Sequence, residues 1–452
     1  MRIVTGLLLI VGFCLVAAAA EAPPDQGREL ERLGAILPQR ERPEPINRML
    51  EERLDNQLPR LMRESGIDLW LVINREYVED PVYLTLVPEP VFAARRTTIL
   101  LFHDRGPEEG VERLTVSRYP IKGFYEAAWE GGELDEQWER LAELIAERDP
   151  QQIGINTSRD WPLGDGLTAG LHKRLVEALG PKLSERLVSA APLCIRWLET
   201  RTAGELEVYP HIVGLARRVI AEAFSSDVIT PGATTTADVF WYIRQRFEEL
   251  ELRPWFQPYV NIQRRGVVYE MDNPFFGEPS GVIQRGDVLH TDVGICYLRL
   301  CTDTQEMAYV LRLDEEQPPA GLVEAMAIGN RWQDLLTGAF VTGRTGNEIL
   351  AAARAASDEA GIAGQVYKHP IGFHGHAAGP TIGMWDNQGP TPHRGDWKLY
   401  PDTAYAIEGN IKAQVPEWDG QWVQIKLEQS AVYDGERVLY LAGRQTRWHL
   451  VR

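Results

Sequence analysis

Apolar residues recur at helical spacing over 46–64 (Ile46, Met49, Leu50, Leu54, Leu58, Leu61), and Gly66 stands where a helix commonly stops. The unbroken apolar run Leu69-Trp70-Leu71-Val72-Ile73 follows, so the pattern predicts helix and then buried strand. Strand-like runs at 97–102 and 153–156 alternate with helical patterns at 134–147 and 166–179, which is the texture of an α/β domain. It ends near Trp197-Leu198-Glu199-Thr200, where a domain boundary is placed. Two further helices are predicted at 203–224, kinked at Pro210, and at 236–250, started by Thr234-Thr235. Beyond 260 the pattern changes to paired strands (288–297 and 302–311), two helices (320–336 and 347–360) and a Gly/His-rich loop at 369–389. Two last strands at 403–415 and 421–432 are joined by the turn Glu417-Trp418-Asp419-Gly420.

Arg2, the apolar run 3–16 and Ala17-Ala18-Ala19-Ala20 read as a secretory signal peptide over 1–20, cleaved after Ala20. The apolar run falls short of the roughly 20 residues that span a membrane, so the mature chain is expected to be exported, periplasmic or secreted, and free of the membrane. Of four cysteines Cys14 leaves with the signal, and Cys296 and Cys301 are the one plausible internal pair, the alternative being that Cys194, Cys296 and Cys301 are all small buried thiols. With 47 basic and 65 acidic side chains, a formal charge of −18, the chain lacks the basic footprint of a nucleic-acid binder.

Asp292 and Asp303 fall on consecutive core-like strands, where cross-strand neighbours on one face stand about 5 Å apart. In the last hairpin Glu408 and Glu428 each lie on the face opposite the large apolar residues. Four carboxylates amid apolar strands repel unless cations stand between them. The segment Pro370-Ile371-Gly372-Phe373-His374-Gly375-His376-Ala377-Ala378-Gly379 adds two imidazoles on a glycine-rich backbone. An oxygen-rich, nitrogen-poor set of this kind suits two divalent ions, Mn²⁺ first, with Zn²⁺, Co²⁺ or Fe²⁺ as alternatives, and such a pair suits amide hydrolysis.

The order Asp292, Asp303, His376 in a Gly-His-x-x-Gly loop, Glu408, then Glu428 resembles the pita-bread metallopeptidases, which include Xaa-Pro aminopeptidases, prolidases and creatinase. The resemblance covers 201–452 and extends, on weaker signals, to the preceding α/β domain at 21–200. It implies a C-terminal α+β domain with a curved antiparallel sheet. It also implies a dinuclear centre held by Asp292, Asp303, His376, Glu408 and Glu428, with Glu408 as general base toward a water between the ions. Peptide or small amide substrates, Xaa-Pro among them, and a homodimer are implied too. The chain departs from the pattern at three places. No histidine lies between His211 and His290, leaving Gln263, Arg264, Tyr269 or Asn273 to fill that wall. Gly383 stands where a second histidine is expected seven residues past the loop ligand, with His374 or His393 as substitutes; His374 is the expected substrate-facing imidazole. Lys426 replaces an arginine on the last strand. Same-fold alternatives are a creatinase-like carbon–nitrogen hydrolase, a metal-dependent lyase and a non-catalytic binding protein.

Overall fold

Strand β1 (Leu69–Arg75) is buried along nearly its whole length because both of its faces are covered. Leu69, Leu71 and Ile73 pack with the helices Leu134–Arg148 and Ala169–Ser184, while Trp70 and Val72 pack with Leu50, Leu54, Leu58 and Trp197 on the other side. It is the centre of a six-stranded mixed sheet with β2 (Thr97–Asp104), β3 (Val111–Ser117), β4 (Glu126–Ala127), β5 (Ile153–Ile155) and β6 (Leu187–Ser189), in the order β4-β3-β2-β1-β5-β6. Helices on both faces make three layers, the expected α/β arrangement. The structure is a computed structural model and describes residues 36–269 and 281–452; the expected signal segment and Asn273 lie outside them. Residues 38–452 form one compact unit. Among the described residues no helix is long and apolar enough to cross a membrane.

The helix expected at 46–64 is interrupted. Pro43–Glu52 and Leu58–Glu64 are α-helical, and the intervening Arg53–Gln57 widens to a π turn. Pro59 has no N–H to offer the preceding turn, which accounts for the break. The helix Ala191–Glu199 reaches the expected boundary, and Thr202 then caps Ala203–Ala223 in a reciprocal box with Glu205. That helix runs on through Pro210. Thr235 and Asp238 cap Thr236–Glu249 in the same way.

The second half is built from antiparallel strands over the helices Ala320–Thr337 and Gly346–Glu359. Strands β7 (Arg253–Pro254), β8 (Tyr259–Gln263), β9 (Val288–Val293), β10 (Ile295–Tyr297), β11 (Leu300–Cys301) and β12 (Thr304–Val310) come first. Strands β13 (Gly364–Pro370), β14 (Thr403–Val415), β15 (Gln421–Lys426), β16 (Gln429–Tyr433), β17 (Val438–Tyr440) and β18 (His449–Val451) follow. One sheet runs β18-β12-β9-β8, and a second runs β13-β14-β16-β17 with β15 also paired to β14. Cys296 and Cys301 face each other across β10 and β11 and are joined by a disulfide, their Cα atoms 3.9 Å apart. Cys194 is free and buried.

Alternation along β14 and the last hairpin sorts their side chains as expected. Tyr405, Ile407, Ile411, Val423, Ile425 and Leu427 enter the core above the helices, leaving Glu408 and Glu428 on the opposite face. The continuous strand expected at 421–432 is broken, however. β15 pairs with β14 up to Lys426 opposite Asn410, and β16 resumes with Gln429 opposite Ile407, so Leu427 and Glu428 are unpaired with β14. Gly409 marks the break: its φ is 144°, and a Cβ there would stand 2.3 Å from both the Gln365 carbonyl and the Trp332 ring.

Candidate metal centre

The two sheets meet at this break. Released from β14, the Glu428 backbone pairs with Gln305 on β12 in both directions, N–H to carbonyl at 3.1 and 3.2 Å. The first sheet contributes Asp292 from β9 and Asp303 from the bend just before β12; the second contributes Glu408 from β14 and Glu428. All four expected carboxylates therefore converge. The fifth member is a residue the sequence reading did not single out. His369, on β13 opposite Ala406, places Nε2 3.3 Å from Asp303 Oδ2, 3.3 Å from Glu408 Oε1 and 3.9 Å from Glu428 Oε1. Ligand atoms fall within 4.8 Å of one another in three overlapping sets: Asp292, Asp303 and Glu428; His369, Glu408 and Glu428; Asp303, His369 and His376.

Enclosure makes this arrangement costly without a cation. Burial pushes Asp292 up to about 8, with Glu408 adding to the shift, and holds Asp303 and Glu428 well above the ordinary carboxylate range. Asp292 Oδ1, Asp303 Oδ1 and Glu428 Oε1 are buried with no hydrogen-bond partner. Orphaned anionic oxygens beside one imidazole nitrogen are the donor set of a hard or borderline divalent ion, so the residues present fit the metal centre.

His376, expected as the nitrogen ligand, stands at the exposed rim of the centre, grouped with Asp303 and His369. Its ring is exposed and packs on Trp255 and on the His369 ring, with centroids 5.0 and 4.5 Å away, and its Nε2 lies 3.3 Å from the Tyr367 hydroxyl. Burial and the neighbouring His369 lower its pKa to about 4. A usable signal was present in the sequence: 376 − 369 = 7, so His369 and His376 themselves have the seven-residue separation that is missing when counted from His376 to Gly383. His369 is hidden from a periodicity reading because Pro370 ends its strand and Lys368 interrupts the apolar pattern.

His374 is held by the Pro81 carbonyl and lines a cavity of about 760 Å³ together with His376, Trp255 and Phe373. His393 is exposed beside Arg159 and Asp160. Gln263 is spent on the backbone of Gln424 at 2.8 Å in both directions, Arg264 on Asp287 at 2.7 Å, and the Tyr269 hydroxyl on the Arg264 N–H. The wall near Asp292 is made instead by Tyr259, opposite it on β8, and by His290. Lys426 lines the cavity of about 270 Å³ that opens onto Asp292 and Glu408; burial lowers its pKa to about 8, and Asp292 opposes the shift.

No curated protein sequence matches the chain. Among solved structures, an X-Pro aminopeptidase from Thermotoga maritima superposes with a TM-score of 0.63 at 19% identity, covering 87% of this chain and 100% of its own. An Xaa-Pro dipeptidase from Bacillus anthracis gives 0.58 at 18%, covering 90% and 100%. A prolidase from Pyrococcus furiosus gives 0.53 at 14%, covering 86% and 98%. At these identities the likeness is one of fold. Residues 210–433, which carry every carboxylate and histidine of the centre, match the model of metallopeptidase family M24, and the chain belongs to that pita-bread family.

Proposed function

We propose that the chain is an exported aminopeptidase or dipeptidase, acting as a homodimer, that hydrolyses the amide bond next to the amino terminus of peptides, Xaa-Pro bonds among them. In this reading 21–200 is an accessory α/β domain and 201–452 the catalytic domain. The observation that carries it is the convergence of Asp292, Asp303, His369, Glu408 and Glu428 on buried, unpartnered oxygens. Two divalent ions, Mn²⁺ first, are proposed to be held by these five side chains, and when bound they supply Lewis-acid polarisation of the scissile carbonyl and of a water. Glu408 is the general base. It lines the small cavity, with its Oε2 accepting a hydrogen bond from Gln305 and its Oε1 facing His369, and its carboxylate would take the proton from water and deliver it to the leaving amine. His376, with the Tyr367 hydroxyl beside it, is the donor available to the developing oxyanion. Export rests on the signal-like segment at 1–20.

The test is elemental analysis of the full chain together with a panel of dipeptides and longer peptides, X-Pro sequences included, with and without added Mn²⁺. Near two metals per chain with metal-dependent turnover supports the reading. Two metals without peptide turnover points to another carbon–nitrogen bond as substrate, and a chain that takes up no metal overturns it.

A further inference from the structure

Gln305 occupies a position that neither the aspartates nor the glutamates explain. It sits on β12, directly opposite Asp292 on β9, and so belongs to the sheet that carries the aspartates. Its side chain nevertheless crosses to the other sheet, donating from Nε2 to Glu408 Oε2 at 3.0 Å and to Glu428 Oε2 at 2.8 Å. Its backbone pairs with Glu428, and the Gln429 amide donates to its carbonyl at 3.4 Å. On the far side of the amide, His290 Nε2 stands 2.8 Å from Gln305 Oε1, and Asn261 Oδ1 lies 3.2 Å from His290 Nδ1. These groups are all buried.

Donor and acceptor chemistry fixes the direction. Turned over, the Gln305 amide would aim its oxygen at two carboxylate oxygens, three acceptors together. As placed, each amide hydrogen meets a carboxylate and the oxygen meets the His290 Nε2–H, so each Gln305 side-chain contact pairs a donor with an acceptor; the neutral ring's Nδ1 then accepts, and the Asn261 amide pairs with it once turned to present its nitrogen. The grip falls on Oε2 of both glutamates. That leaves Glu408 Oε1 and Glu428 Oε1 turned toward His369, the latter without any hydrogen-bond partner. We infer that Gln305 is a positioning residue of the metal centre: its amide sets the spacing between the aspartate pair of one sheet and the glutamate pair of the other and selects the oxygens offered to the ions, while His290 fixes which way that amide points.

The inference rests on the metal-centre reading above, and the experiment separates the two. Metal-stripped full-length wild type, Gln305→Met, His290→Phe and the double variant are titrated calorimetrically with Mn²⁺, and the visible absorption of their Co²⁺-loaded forms is recorded. Hydrogen bonds to ligand carboxylates of this kind are worth about 10–100-fold in metal affinity. Gln305→Met is expected to weaken Mn²⁺ binding by about that factor and to shift the Co²⁺ bands. His290→Phe weakens binding less, and the double variant binds no more weakly than Gln305→Met alone, because His290 acts through Gln305. Unchanged affinity and absorption in Gln305→Met, or losses that simply add in the double variant, overturn the inference. Should Gln305→Met fail to fold, His290→Phe, which leaves the amide in place, still decides: reduced affinity with a shifted Co²⁺ spectrum supports the relay, and wild-type values reject it. A wild type that binds no Mn²⁺ overturns the metal-centre reading itself.

Discussion

Two buried charge clusters lie within the same compact unit and are solved in opposite ways. Where the helix Ala191–Glu199 gives way to Ala203–Ala223, three guanidinium groups enclose two carboxylates. Arg53 and Arg201 reach Glu205 at 3.2 and 3.3 Å, and Arg196 reaches Glu199 at 2.7 Å. Neighbouring groups take up further donors, while Arg53 Nε and Arg201 Nε and Nη1 make no hydrogen bond. Arg53 also donates to the carbonyls of Thr200 and Trp197, and Trp397 Nε1 donates to Glu199. Arg53 and Arg201 each lie over the Phe373 ring, 4.7 and 4.9 Å from its centroid, at the head of the loop that carries His374 and His376. At the metal centre four acids face one imidazole and one amide, with anionic oxygens left over. A buried charge cluster that carries its own counter-ions holds a fold together; one that lacks them is waiting for ions from outside.

The largest test of this contrast is Arg53→Met. Removing one partner from the balanced cluster leaves Glu205 to Arg201 alone, and denaturant unfolding should show a loss of about 3–5 kcal/mol whether or not metal is present. Asp303→Asn, the matching change in the unbalanced cluster, should have the opposite sign in chelator, leaving the metal-free midpoint unchanged or raised, because it removes one of four repelling acids. The same variant should forfeit the stabilisation that Mn²⁺ gives the wild type, about 3 kcal/mol at a little over one hundred times the dissociation constant. Equal melting shifts with Mn²⁺ in both proteins would show that Asp303 is no ligand. The smallest effect is a pH slope. Burial, opposed by Arg196, raises the Glu199 pKa to about 7 from an ordinary 4.5. Between those values the folded chain keeps a proton that the unfolded chain has released, so this group's contribution to stability falls as pH rises through the window. Glu199→Gln lacks that slope, and its unfolding free energy relative to wild type should climb from pH 5 to pH 8 by an amount on the order of 1 kcal/mol.

The carboxylates were legible in the sequence because a period of two sorts them from their apolar neighbours, and that sorting survives folding: Glu408 opposes Ile407, and Glu428 opposes Leu427. The three-layer half was legible for the same reason, since the run 69–73 has both faces covered. His369 was not, because a strand that holds Lys368 and ends at Pro370 shows no apolar alternation, and the neighbouring glycines drew attention to His376. Gln305 and His290 were invisible as well. Their role depends on an amide reaching from one sheet to the other, a contact between residues 123 positions apart that no local pattern encodes.

The interruption at Leu427 and Glu428 gives the final hairpin two separate registers. β15 takes its phase from the turn at Pro416–Trp418, starting with Gln421 opposite Val415, whereas β16 is set from the other end by Tyr433 opposite Thr403. A pair of residues gained or lost in the turn re-phases β15 with Val423 and Ile425 still facing the core and is absorbed at the gap, so Glu428 keeps its place on Gln305. Over evolutionary time the tip of the hairpin is thereby free to change length and reshape what surrounds it, while the acid at its base stays in step with the metal centre.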